Sequence, residues 1–159
     1  MKIIVVSDSH GSQNALERVM EKNRNADVVV HCGDSRGEMA DIKLKYPDKM
    51  YYEVKGNCDF GSTLPLTLTF TLDGLTFMVT HGHAYNVKFG LESLSRAGKE
   101  AGADVVFYGH THIADDRVID GVRVLNPGAC GGWGATFAVV ETQNGQLLTN
   151  IVPLRKLSL

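Results

Sequence analysis

Five short clusters of Asp, His, Asn and Gly carry the residues of this sequence best suited to metal and proton chemistry: Asp8-Ser9-His10, Gly33-Asp34, Gly56-Asn57-Cys58-Asp59, His81-Gly82-His83 and Gly109-His110-Thr111-His112. With His31, these clusters contain all six histidines of the chain. A single histidine of this kind is commonly a satisfied core or turn residue, and His31 is read that way. Taken together, imidazole, carboxylate and amide oxygen without a thiolate set suit manganese, iron, nickel, cobalt or zinc, and not a Cys-rich structural zinc site. A carboxylate shared by two cations about 3.5–4 Å apart clamps the attacking and leaving oxygens of an in-line displacement at phosphorus. Phosphate esters are the expected substrates.

Each cluster closes an apolar run. Val5-Val6 leads to Asp8, Val28–Val30 to Gly33-Asp34, Val54 to Gly56, Met78-Val79 to His81, and Val105–Tyr108 to Gly109. In open α/β sheets the carboxyl ends of strands line the crevice where ligands bind, so residues remote in sequence can meet there. The first half reads as β-α-β-α-β: strands at Ile3–Val6, Val28–Val30 and Tyr51–Val54, with helices over Gln13–Lys22 and Glu38–Tyr46. The second half contains Asp73-Gly74, Asp120-Gly121 and Asn144-Gly145 between strand-like runs, the residue pairs of two-residue hairpin turns. It adds a helix near Lys88–Ala101. The pattern predicts two packed sheets with helices outside, the second region being antiparallel.

The 159 residues suit one domain spanning 1–159, and the 43% hydrophobic and 21% charged content is ordinary for a soluble globular chain. A net charge of -2 gives no polybasic face, so nucleic acid is not indicated as a partner. The apolar stretch Ile3–Val6 is too short for a signal-peptide core or a membrane span. Three cysteines without a C-x-x-C pair suggest neither a disulfide framework nor a zinc knuckle, and a cytoplasmic location is expected.

The five clusters, in order and spacing, resemble the blocks of calcineurin-like metallophosphoesterases, and Asn126-Pro127-Gly128 resembles the segment that follows them in the short bacterial and archaeal phosphodiesterases related to the retromer scaffold subunit. The resemblance implies an α/β (α+β) four-layer sandwich of two mixed β-sheets flanked by helices. It implies a dinuclear site in which Asp8, His10 and His112 hold one metal, Asn57, His81 and His110 the other, and Asp34 bridges them. Two divalent transition-metal ions are expected, manganese foremost, with nickel, cobalt, iron or zinc as alternatives. The implied reaction is hydrolysis of a small phosphodiester by a hydroxide shared between the metals.

The third block departs from the commoner Gly-Asn-His pattern of the superfamily, whose His is thought to protonate the leaving group, because Cys58 stands in that place. Cys58 reads either as a thiol acid or as a small residue beside the site; His83 is a second candidate for the acid or for a phosphate contact. Asp59 is expected to keep a supporting job. The Gly-rich stretch 128–134 reads as a connection between strands, with Trp133 as a candidate aromatic wall. Apolar residues around 64–68 and 147–154 belong either to the core or to a homo-oligomer contact. The rival function is a scaffold of the same fold that binds partner proteins without catalysis.

Overall fold

The computed structural model describes residues 1–156. Along the chain the elements are β1 (Lys2–Val6), α1 (Gln13–Lys22), β2 (Val28–His31), α2 (Glu38–Lys45), β3 (Met50–Glu53), β4 (Thr67–Leu72), β5 (Leu75–Thr80), α3 (Glu92–Glu100), β6 (Val105–Phe107), β7 (Asp115–Ile119), β8 (Val122–Asn126), β9 (Thr136–Gln143) and β10 (Gln146–Pro153). Among the described residues no helix is long and apolar enough to cross a membrane.

The strands form two five-stranded mixed sheets, ordered β10-β9-β1-β2-β3 and β4-β5-β6-β8-β7. In the first, β1, β2 and β3 run parallel, while β9 pairs antiparallel with β1 and β10 with β9. In the second, β5, β6 and β8 are parallel, and β4 and β7 add antiparallel edges.

Both sheets carry out the period-two alternation of their strands. Ile3, Val5, Val28 and Val30 face Phe77, Val79, Val105, Phe107 and Leu125 between the sheets. Ile4, Val6 and Val29 point the other way, onto Leu16, Val19 and Met20 of α1 and Met39 and Ile42 of α2. On the far side, Met78, Val106, Tyr108 and Val124 cover Leu94 of α3. Burying each such side chain contributes about 1.5–3 kcal/mol. The result is the expected four layers. Tyr52, Phe70, Phe77 and Phe107 stack in series within the core, with successive centroids 4.1, 5.0 and 5.5 Å apart.

All three expected hairpins form, but the second half is not a separate antiparallel region. The β9–β10 hairpin joins the first sheet, and β5, β6 and β8 are parallel. A turn pair fixes which two strands are neighbours and leaves open which sheet they enter. Phe137, Ala138 and Val140 of β9 are buried, which suits a place beside β1 and not an edge. Helix α3 starts at Glu92, not near Lys88, because Gly90 has φ +148°, outside helical space. Leu147 and Ile151 pack on the core between the sheets, while Leu66 and Leu148 are exposed.

Candidate metal centre

The loops after β1, β2, β3, β5 and β6 meet at one edge of the sandwich and bring the five clusters together. Asp8 Oδ1 lies 3.2 Å from His112 Nε2, 3.7 Å from His10 Nε2 and 3.8 Å from His81 Nε2. Asp34 Oδ2 lies 3.3 Å from His81 Nε2 and 3.7 Å from His10 Nε2, so a single oxygen faces both groups. His110 Nδ1 is 3.1 Å from Asn57 Oδ1 and 3.3 Å from His81 Nε2. Thus Asp8, His10 and His112 lie together, Asp8 and Asp34 both face His81, and His110 stands beside both His81 and Asn57.

The remaining polar atoms of these side chains are held by their surroundings, which leaves one face free. Asp8 Oδ2 accepts from Ser7 Oγ at 2.6 Å and from the His110 N–H at 3.1 Å. Asp34 Oδ1 accepts from the Cys58 N–H at 2.8 Å. His81 Nδ1 lies 2.7 Å from the Cys32 carbonyl, which can only accept, so Nδ1 carries a proton in either charge state of the ring and Nε2 is left to face the carboxylates. Asp8 Oδ1 and His10 Nε2 are buried and find no hydrogen-bond partner among the described residues. Buried polar atoms of this kind call for a partner. A cation coordinated by both satisfies them, and the nitrogen and oxygen donor set fits a divalent transition metal.

Charge follows the same layout. Burial works against the charged form of Asp34, yet the hydrogen bond with His81, the Cys58 N–H and the nearby His81 and His10 rings hold its carboxyl below the usual range. Burial likewise opposes protonation of His81, and Asp34 and Asp8 outweigh it, raising the group. Burial, then the His81 and Lys88 charges, lower His110. An anionic pair of carboxylates amid imidazoles is an electrostatic seat for cations.

Glycine is required where backbone meets these side chains. A Cβ on Gly56 would lie 2.1 Å from Asp34 Oδ1, and one on Gly109 would lie 2.0 Å from Ser7 Oγ and 2.6 Å from Asp8 Oδ2. Asp59 takes the supporting position expected of it: Oδ2 accepts the N–H groups of Asp34 and Gly56, tying the second and third clusters.

Residues 1–145 match the calcineurin-like phosphoesterase superfamily domain. The chain belongs to that superfamily. Among the similar proteins is the probable metallophosphoesterase YsnB of Bacillus subtilis (strain 168), 35% identical over 131 residues that cover 81% of this chain and 75% of that protein. The phosphodiesterase MJ0936 of Methanocaldococcus jannaschii is 30% identical over 163 residues, 90% of this chain and 94% of that protein. A solved structural neighbour is a conserved uncharacterized protein, a predicted phosphoesterase, of Streptococcus pneumoniae TIGR4, with a TM-score of 0.81 and 29% identity over 97% of this chain and 90% of that one.

Around this phosphoesterase centre the two candidate proton donors differ. Cys58 is exposed; its own desolvation, then the charge of Asp34, raise the thiol, so it stays protonated at neutral pH. His83 has its ring 5.5 Å from His81 and 6.1 Å from His110, and its Nδ1 is buried without a partner among the described residues. Burial, then the charge of His81, lower it and favour the neutral ring. Trp133 is fully exposed and borders a hollow with Arg18, Leu154 and Arg155, which none of the seven side chains above lines. Ser7, Asn126 and the Cys32 carbonyl were not singled out from sequence as supports. Asn126 holds the fifth cluster by donating to the Gly109 carbonyl at 3.1 Å and Thr111 Oγ1 at 3.0 Å. Only its place in Asn-Pro-Gly marked it.

Proposed function

We propose that this protein is a metal-dependent phosphodiesterase acting on small phosphodiesters, with two divalent cations, manganese foremost, held by Asp8, His10 and His112, by Asn57, His81 and His110, and by Asp34 between them. The observation that carries the reading is the meeting of these seven side chains at one edge, where two buried polar atoms, Asp8 Oδ1 and His10 Nε2, have no hydrogen-bond partner among the described residues. The chemistry supplied by a bound cation pair is Lewis acidity toward phosphoryl oxygen and activation of water at neutral pH.

The chain's own residues do the rest. Asp8, Asp34 and His81 keep fixed positions through bonds already made on their far sides, so no reorganisation is needed during turnover. The protonated Cys58 thiol faces the same region as Asp34 and His10 and serves as proton donor to the leaving oxygen. The neutral His83 ring offers a hydrogen bond to a phosphoryl oxygen. A cleft of about 610 Å³ opens beside Cys58, bordered by Arg36, Lys43, Asp59, Phe60 and Leu64; it accepts one arm of the diester, with the exposed Phe60 ring as a stacking face.

The test is hydrolysis of an aryl phosphodiester and its matching monoester by chelated protein re-supplied with Mn, Ni, Co, Zn or Mg in turn. Metal-dependent cleavage of the diester is expected. Metal uptake with no cleavage under any metal would replace this reading with a binding scaffold of the same fold. Cys58→His should raise the relative rate on diesters with poor leaving groups, and unchanged relative rates would remove Cys58 from the proton-transfer step.

A further inference from the structure

Ser9, His31 and Glu38 have the residue types of a hydrolytic triad and lie in contact: Ser9 Oγ is 2.9 Å from His31 Nε2 and 2.6 Å from Glu38 Oε2. The geometry excludes a nucleophile. Ser9 is 0% exposed, His31 1% and Glu38 5%. The backbone N–H of Gly33 donates to His31 Nδ1 at 3.0 Å, so Nδ1 holds the lone pair and the proton sits on Nε2, facing Ser9. His31 therefore gives a proton to the Ser9 bond and takes none. The Ser9 hydroxyl is left to donate to Glu38, and the bonds run in one direction, from His31 through Ser9 to the carboxylate.

What this buried chain touches is the backbone of the metal centre. Ser9 stands between Asp8 and His10. Glu38 Oε2 also accepts the Gly11 N–H at 2.9 Å, and Oε1 accepts the Arg36 N–H. His31 holds Gly33, the neighbour of Asp34. The two loops so gripped are cross-linked by Asp8 N–H to the Gly33 carbonyl at 2.9 Å and His10 N–H to the Asp34 carbonyl at 3.0 Å. Asp8, His10 and Asp34 all have left-handed backbone, with φ 52°, 43° and 62°, and the bonds just described hold them in it. We infer that Glu38, acting through Ser9 and His31, is a positioning residue that locks the loops bearing Asp8, His10 and Asp34 into the geometry that receives the cations. This rests on those three side chains being metal ligands, and not on turnover.

Glu38→Gln keeps the shape but replaces one acceptor oxygen by an NH₂ group, which must face either the Arg36 N–H or the Ser9 and Gly11 donors. Ser9→Ala removes the link in the middle. The full chain, stripped with chelator, is titrated calorimetrically with Mn²⁺ and with Zn²⁺, and its metal-free unfolding midpoint is measured in parallel. Each variant is expected to bind metal about 10–100-fold more weakly while remaining folded, the usual cost of losing an outer partner of a metal site. The double variant should lose less than the product of the two single losses, because both break one chain of bonds. Wild-type metal affinity in either variant, with only a lowered midpoint, would overturn the inference, as would losses that multiply. If Glu38→Gln does not fold, Ser9→Ala decides alone. A wild type that binds metal but cleaves no diester would end the phosphodiesterase reading and leave this one intact; a wild type that binds neither metal would end both.

Discussion

Hairpin tips and strand-end loops both place non-glycine residues in left-handed backbone, and they do so by different means. At the tips, Asp73, Asp120 and Asn144 have φ 53°, 50° and 52°, each followed by a glycine at 80°, 81° and 77°. Asp-Gly and Asn-Gly accept this conformation locally, and a Cβ on any of those glycines would meet nothing within 4 Å. At the strand ends, Asp8, His10, Asp34, His110 and His112 have φ 52°, 43°, 62°, 71° and 66°. Left-handed backbone costs an ordinary residue about 1–2 kcal/mol, and two loops, around 8–10 and 33–34, are held by backbone N–H groups that donate to Gly33, Asp34, Asp59 and Glu38. The tips obey local preference. The metal-facing loops are set by tertiary contacts, and strain of this kind concentrates where function needs a fixed geometry.

Paired substitutions should separate the two cases. The largest effect is expected for Gly109→Ala, whose methyl would strike Ser7 Oγ and Asp8 Oδ2. Metal-dependent hydrolysis should fall to background and stability should drop by about 1–3 kcal/mol, the ordinary penalty of overpacking. Activity within a few-fold of wild type would show that Asp8 need not be held where it is. Next comes Ser7→Ala, which frees Asp8 Oδ2 of its 2.6 Å bond; metal affinity by calorimetry should weaken by about 10–100-fold.

Gly121→Ala is the counterpart at a hairpin tip, where φ is +81° and space is open. It should cost about 1–2 kcal/mol by urea denaturation and leave metal affinity unchanged. A loss of metal binding there would show that the tips also set the centre.

The smallest effect concerns acid. Burial opposes the charged form of Glu38, but its bonds from Ser9, Gly11 and Arg36 outweigh this and lower the group below its ordinary value of 4.5. A depressed carboxylate contributes stability that is present above about pH 4.5 and is lost as pH falls through the folded-state value. The metal-free chain should therefore lose stability below pH 4.5 more steeply than Glu38→Gln, while a hairpin-tip variant such as Gly121→Ala should follow the wild-type slope. Parallel curves for the wild type and Glu38→Gln would deny Glu38 this role.

This contrast also marks what could be read in the chain. Apolar runs ending in Asp, His and Asn announced both the strands and the edge where the clusters meet, and Asp-Gly and Asn-Gly announced the three hairpins, because these signals act over a few residues. The sheet joined by β9 and β10 was not legible, since that choice depends on which surface buries Phe137, Ala138 and Val140. The same limit hid the supports of the centre. Ser7 and Ser9 are ordinary serines, Glu38 looks like a first-turn helix acid, and His31 looks like a core histidine until the fold puts Ser9 2.9 Å from its ring. The bonds of Ser9 to His31 and Glu38 join residues 22 and 29 positions apart and leave no mark in local spacing.

We propose that seven side chains seat two cations about one shared carboxylate. The most direct measurement is the amount of manganese bound per chain, by calorimetry and by metal analysis after gel filtration, in the wild type and in Asp34→Asn. Two ions per chain are expected in the wild type, with both affinities reduced in the variant because the oxygen facing both His10 and His81 has lost its charge. A single ion in the wild type, or undiminished binding in Asp34→Asn, would contradict it.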